Sequence, residues 1–425
     1  VVMSVHYMNW ISILLNFNLY PGSCYPRLTA CLELIQFLTS TFPADNLHAL
    51  TFIKNSNIPL ELYTSDNTAQ MLNAVRDHYD DDRRMSDDIL KRFPKPLPGF
   101  TVENVKALIK SALDWVGNPR MHECDTACIT LNTVVSKFIR AGWKIRLHPD
   151  GEILIEEHDT QPDRSLAVLD FLNDLIALVD KHVAVAKESI AKAAAVAPIH
   201  GPLMAVRFVL SEVDFSEKEV TTNGDKWRVF FADFIQRLYT VRDVAFTVGH
   251  PVRYRLDVVN EDDESMRLNA QLESGDDNEG DEEDGELDFV EFSHGQGQAI
   301  VVCAWLCLKE VSLGLATVVK KTPLADSRTM LVSEAQIHSI GNLMLDSLLQ
   351  IRHKGAIEKL SVGLQAVSEI LFTSKNSQVN ALPITWLNDL IARVLYNSKK
   401  LLSQRRSAGL PYAFLYVATT RVVCV

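Results

Sequence analysis

The chain has 425 residues, 47% of them hydrophobic, with a formal charge of −12 and seven cysteines. That apolar content is enough for a large interior, larger than one ordinary domain core, so an elongated or multi-part body is expected. An odd number of cysteines spread this thinly excludes a disulfide framework and fits a reducing compartment, the cytoplasm. The net charge is local: residues 261–291 hold fifteen acids against one base, Arg267, and the rest of the chain has 39 acids and 41 bases.

The chain opens on Val1 and closes on Arg421-Val422-Val423-Cys424-Val425, which reads as a fragment of a longer protein. Its first residues are apolar but lack a basic n-region and a small-residue cleavage site, so no signal peptide is expected. Apolar stripes at three- and four-residue spacing predict helices near Arg27–Ser40, Thr101–Val116, Asp125–Ala141, Ser165–Ala195, Gly201–Glu212 and Lys226–Val241. Asp80-Asp81-Asp82-Arg83-Arg84, followed by Phe93-Pro94-Lys95-Pro96-Leu97-Pro98-Gly99, reads as an exposed connector. From Trp143 to Ile155, alternation on both sides of Pro149-Asp150-Gly151 predicts a β-hairpin. Residues 260–292, acid-rich and broken by Gly275, Gly280 and Gly285, offer too little apolar area to offset ordering and are expected to be a disordered insertion. A sharper reading has this segment compete with RNA for a basic surface.

Ala299 to Val319 is long enough for a membrane span, but Lys309 and Glu310 at its centre argue for a buried helix instead. Ser333 with Gln336 predicts a capping box, ahead of a face made by Ile337, Ile340, Met344 and Leu348. Gly355 separates this helix from the next, which carries Ile357, Leu360, Leu364, Val367 and Leu371. Pro383 is assigned the first helical position of a third, with Trp386, Leu387, Leu390 and Ile391 inward. The whole is expected to be all-α: an α-solenoid, a right-handed stack of HEAT- or armadillo-like helical pairs whose repeats run roughly 40 to 47 residues.

Signatures of catalysis are missing. Gly295-Gln296-Gly297-Gln298 lacks a third glycine and a preceding strand, so it reads as the entry to the helix at Ala299 rather than a cofactor loop. No Walker A run, His-Glu-x-x-His run or serine elbow occurs. Cys124 with Cys128, and Cys303 with Cys307, sit four apart on helical faces, and His122 adds a third ligand to the first pair. Structural zinc wants four ligands from spaced knuckles, so packing inside helices is preferred. His6, His48 and His294 have no partner at useful spacing. No cofactor, metal or small-molecule substrate is expected.

Positive charge is what remains. Arg405-Arg406-Ser407-Ala408-Gly409-Leu410-Pro411 sets two guanidiniums, which grip phosphate oxygens bidentately, beside three small residues that admit another backbone. In a helix Pro411 would bend or break the turn around Ser407, and for the run taken alone a kinked helix with two solvated arginines is the preferred explanation. Arg352, His353 and Lys354 close a helix, where positive charge suits the dipole. Stacked helical pairs bring successive loops to one edge, so this cluster, Lys399, Lys400 and the arginine pair are expected to share a basic ridge. Lys309 and Glu310 are either a buried ion-pair staple between repeats or an RNA contact.

Three runs carry a resemblance: Trp305-Leu306-Cys307-Leu308-Lys309-Glu310-Val311-Ser312-Leu313, Arg352-His353-Lys354-Gly355-Ala356-Ile357-Glu358, and the Arg-Arg-Ser-Ala-Gly-Leu-Pro run with Tyr412. In this order they resemble the central conserved domain (DUF2428) of the thyroid adenoma-associated (THADA) family. The likeness is strong from about Ala299 to Tyr412 and weaker over Pro198–Arg207. The chain departs at Leu306, where the family tends to have arginine, at Gly314, where it has a longer leucine run, and at Gln404, where it has threonine. The resemblance divides the chain into N-terminal repeats, 1–197, and the conserved domain, 198–425. It implies a non-catalytic regulatory subunit that binds tRNA and an FtsJ-like tRNA 2′-O-methyltransferase, so that an anticodon-loop ribose is methylated. The residues it implies for contact are Arg405, Arg406, Ser407, Ala408, Gly409, Leu410, Pro411, Arg352, His353, Lys354, Lys309 and Glu310. The same stacking supports an alternative, a scaffold with protein partners only.

Overall fold

Helices account for almost all regular structure in a computed structural model that describes residues 2–20, 23–46, 54–55, 60–148, 150–157, 163–249, 294–324, 329–351, 354–396 and 409–424. The acidic insertion expected at 260–292 lies outside the described residues. Among the described residues, the α-helices before the hairpin are α1 (Val2–Phe17), α2 (Tyr25–Thr41), α3 (Ser65–Ala74), α4 (Asp80–Lys91), α5 (Val102–Val116) and α6 (Met121–Lys137). After strands β1 (Lys144–Leu147) and β2 (Ile153–Glu156) come α7 (Arg164–Glu188), α8 (Ile190–Val196), α9 (His200–Glu212), α10 (Lys218–Thr222) and α11 (Gly224–Gly249). The second half holds α12 (His294–Lys321), α13 (Glu334–Gln350), α14 (Lys354–Phe372), α15 (Ser377–Tyr396) and α16 (Leu410–Cys424).

One row of helices packs in succession, α2 on α4, α4 on α6, α6 on α9, α9 on α12, α12 on α14 and α14 on α16. Apolar side chains along it join in one hydrophobic cluster that runs through the 197/198 boundary. Helix α12 lies under α9, α11 and α14, which explains why it is apolar on most of its circumference. Its segment Ala299–Lys321 is long and apolar enough to cross a membrane, and here it is a core helix. Small residues set its crossing with α14: a Cβ on Gly363 would lie 2.0 Å from Ser312 Oγ, and that hydroxyl donates to Leu360 O at 2.9 Å.

Local chemistry accounts for the boundaries. Thr101 with Asn104 and Ser333 with Gln336 form reciprocal capping boxes at the starts of α5 and α13. The hairpin pairs antiparallel with Ile145 opposite Ile155, and Gly151 takes the positive φ of 92° that its turn needs. Arg146 grips Asp174 with two hydrogen bonds, 2.8 and 2.9 Å, which docks the hairpin on α7.

Several expectations need correction. The acid-rich run from Asp80 opens α4 instead of forming a connector: three aspartates in its first turn suit the positive end of the helix dipole. Arg83 is buried, with Asp80 and Asp125 as ion-pair partners and the carbonyls of Asp77 and His78 as acceptors. Pro383 lies inside α15, because Asn376 already starts that helix by accepting from Gln378 N and Asn380 N. Ile391 is exposed, while Trp386 and Leu390 are buried. Gly355 falls within α14, and Gly295–Gln298 within α12.

Lys137, on α6, is buried and donates from Nζ to Lys91 O at 2.9 Å and Phe93 O at 2.6 Å, closing the end of α4. Burial, with Lys95 nearby, pushes its amine from 10.5 down to about 7, against the pull of Glu212 and Asp87. The unfolded chain therefore holds this proton up to about 10.5 while the folded one releases it near 7, so Lys137 favours folding increasingly as pH rises between those values. Denaturant unfolding of wild type and Lys137→Met at pH 6 and pH 9 should show the stability difference moving toward wild type at the higher pH.

Candidate nucleic-acid interface

Described residues that flank the two basic runs, Gly409 and the end of α13, meet in the fold. Arg405, Arg406, Ser407, Ala408, Arg352, His353, Lys399 and Lys400 lie outside the described residues. Their neighbours do not. Helix α13 ends at Gln350 with Ile351 as its cap, whose N–H donates to Ser347 O, and α14 begins at Lys354, so Lys354 opens a helix rather than closing one as the sequence suggested. Gly409 is buried against the last turn of α13: a Cβ there would lie 1.9 Å from Leu348 O and 2.7 Å from Leu348 C. Gly409, the first described residue after the arginine run, therefore sits beside the end of α13, against a residue three positions before Ile351. Lys354 is exposed and forms an i,i+4 pair with Glu358 at 3.9 Å.

This placement changes the reading of three residues. The backbone that approaches Gly409 is Leu348 of the same chain, so its missing side chain serves packing. Leu410 starts α16 half-buried, and Gly409 O accepts from Ala413 N as the helix begins. Pro411, in the first turn, loses nothing by lacking an N–H and does not kink a helix. Tyr412 stacks on Tyr416, centroids 6.3 Å apart.

Lys309 and Glu310 form the staple. Glu310 is wholly buried on α12; its Oε2 accepts from Arg207 Nε of α9 at 2.7 Å, and Lys309 Nζ lies 3.4 Å from its Oε1. A buried carboxylate engaged in this way does not reach a polyanion. Arg207 closes the Pro-Ile-His-Gly-Pro-Leu-Met-Ala-Val-Arg segment, and sequence reading gave it no role; an isolated acid in an apolar helix was the signal that a base had to face it.

The cysteine pairs are interior. Cys124 Sγ donates to Asn118 O at 2.9 Å, and burial pushes its thiol up to about 12. His200 stands 3.9 Å from that sulfur, its pKa lowered to about 4, chiefly by burial and then by Lys309. Among the described residues no group of three His, Cys, Asp or Glu is placed to hold a metal.

Residues 247–422 match the family model described as DUF2428 of THADA/TRM732. The tRNA (32-2'-O)-methyltransferase regulator THADA of Canis lupus familiaris is 22% identical over 93% of this chain and 22% of its own length. The regulator trm732 of Schizosaccharomyces pombe is 22% identical over 93% of the chain and 23% of its own. THADA of Mus musculus reaches 33% identity over 120 residues, 27% of this chain and 6% of its own. The chain thus spans about a fifth of the length of the first two. Their likeness also covers the N-terminal half, where sequence reading found none. Residues 247–422 thus carry the likeness to the THADA/TRM732 family, and relatives of that description align over 93% of the chain.

Proposed function

We propose that this chain is part of a non-catalytic, HEAT-like helical adaptor that acts in the cytoplasm, holding tRNA against an FtsJ-like enzyme for 2′-O-methylation at position 32. The observation that carries the reading is the name of relatives aligned over 93% of the chain, regulator of a tRNA (32-2'-O)-methyltransferase. Gly409, next in sequence to the arginine run, packs on Leu348 near the end of α13, the helix that precedes the other basic run, which supports the reading. A small catalytic domain offers little surface for a whole tRNA, and a helical stack that orients the anticodon arm turns a loose encounter into a directed one. Recognition rests on phosphates and shape rather than base edges.

Arg405→Glu with Arg406→Glu is expected to lower tRNA affinity by roughly tenfold and to lower methylation with it, while melting temperature and co-purification with the enzyme stay as in wild type. Fluorescence anisotropy across a salt series reads the phosphate contribution, a log–log slope of roughly −0.7 to −0.9 per contact. Unchanged methylation by the reversed-charge variant would refute the assignment. A second reading, a scaffold with protein partners only, draws on the exposed apolar stripe of α1, Met3, Tyr7, Trp10, Leu14 and Phe17. A flat salt response selects that reading.

A further inference from the structure

A cavity of about 230 Å³ opens between the loop after α4, the end of α6 and the start of α7, and three bases line it: Lys95, Arg140 and Arg164. One acid, Glu217, shares the lining. Arg140 is partly engaged, with Nη2 donating to Glu212 O at 2.8 Å and Nη1 3.5 Å from Glu217 Oε1. Among the described residues, Lys95 and Arg164 have no ion-pair or hydrogen-bond partner for their charged groups. The cluster is electrostatically unrelieved: burial, Arg140 and Arg164 each lower the Lys95 pKa, and Glu212 and Glu217 oppose them without cancelling the shift.

The fold holds these charges in place. Lys137 pins the Lys95 loop through Phe93 O, and Phe93 and Leu97 anchor it in the core. Arg140 sits in the tight turn Ile139–Ala141 that closes α6, and Arg164 opens the 25-residue α7. Ser165 Oγ already accepts from Trp227 Nε1 at 2.9 Å, so its own proton is available to an anion in the cavity. The nearby Asp163 carboxylate is occupied, accepting from Leu166 N at 3.2 Å and Asn223 Nδ2 at 2.5 Å. Trp227, with Val168, Val213 and Val220, completes the lining; it is fully buried and its Nε1 is already engaged by Ser165. The polar part of the lining therefore offers charge and donors to a group with several acceptor oxygens.

We propose that the Lys95–Arg140–Arg164 cavity is a docking site for a phosphate group. Its source is either a nucleic-acid backbone or a small phosphoanion. The test uses the 425-residue chain and its Lys95→Gln, Arg164→Gln double variant, whose changed side chains make no hydrogen bond or ion pair among the described residues. Thermal unfolding with millimolar inorganic pyrophosphate should raise the melting temperature of wild type and leave the variant unmoved. In parallel, tRNA binding by anisotropy across a salt series should fall about fivefold in the variant, with the log–log slope shallower by about two contacts, if the source is a backbone.

A pyrophosphate effect with unchanged tRNA binding assigns a small phosphoanion; lost tRNA binding, with or without a pyrophosphate effect, assigns the backbone. Unchanged behaviour in both assays overturns the site. If wild type binds no tRNA, the proposed adaptor role fails, and pyrophosphate alone decides the cavity.

Discussion

Arg207→Ala is expected to destabilise the fold by about 3–5 kcal/mol, because it strands the Glu310 carboxylate inside the helix row. Glu310 is wholly buried, and its Oε1 has no hydrogen-bond partner beyond the ion pair to Lys309, whose side chain is 22% exposed. Arg207 supplies the close contact at 2.7 Å and also lays its guanidinium 5.0 Å from the Phe208 ring. Removing it leaves a charge that water reaches poorly and that one partly solvated amine cannot neutralise. Denaturant unfolding should show a lower midpoint with an unchanged slope. Replacing both partners, Arg207→Met with Glu310→Met, should recover most of the loss, since an apolar pair leaves no orphaned charge. A penalty below about 1 kcal/mol for Arg207→Ala would mean that water reaches Glu310 and that the staple contributes little.

The contrast between α13 and α4 shows which features the sequence exposes. Helix α13 has a local start signal, Ser333 and Gln336, and a face of Ile337, Ile340, Met344 and Leu348 that is buried as the period requires. Both are written within one segment. Helix α4 instead looks like solvent-facing charge, because what stabilises its start is the distant Asp125 on α6 reaching the buried Arg83. The same distinction governs the candidate sites. The basic runs near 352 and 405 are conspicuous as composition, whereas the approach of Gly409 to Leu348 spans 61 positions of chain and leaves no local signal. Lys95, Arg140 and Arg164 escaped notice because each lies alone in its segment; only the approach of the α4–α5 loop to the ends of α6 and α7 makes them a cluster.

Gly409→Ala should separate folding from recognition within the Arg-Arg-Ser-Ala-Gly-Leu-Pro run. The added Cβ would stand 1.9 Å from Leu348 O, 2.7 Å from Leu348 C and 3.3 Å from Leu348 Cα. All three are backbone atoms, so no rotamer change relieves the contact. The start of α16 must move away from α13 by about 1 Å, against the packing of buried Ala413 and Val417. Overpacking of this kind costs about 3 kcal/mol, at the upper end of its usual range, and should appear as a lower melting temperature. Because the shift moves Gly409, next in sequence to the arginine run, away from the end of α13, tRNA affinity should fall in parallel with stability. The charge-reversed Arg405→Glu, Arg406→Glu chain should behave differently, losing affinity at an unchanged melting temperature. If Gly409→Ala instead keeps the wild-type melting temperature and still loses tRNA, the glycine acts on the ligand directly, and the packing role assigned to it is wrong.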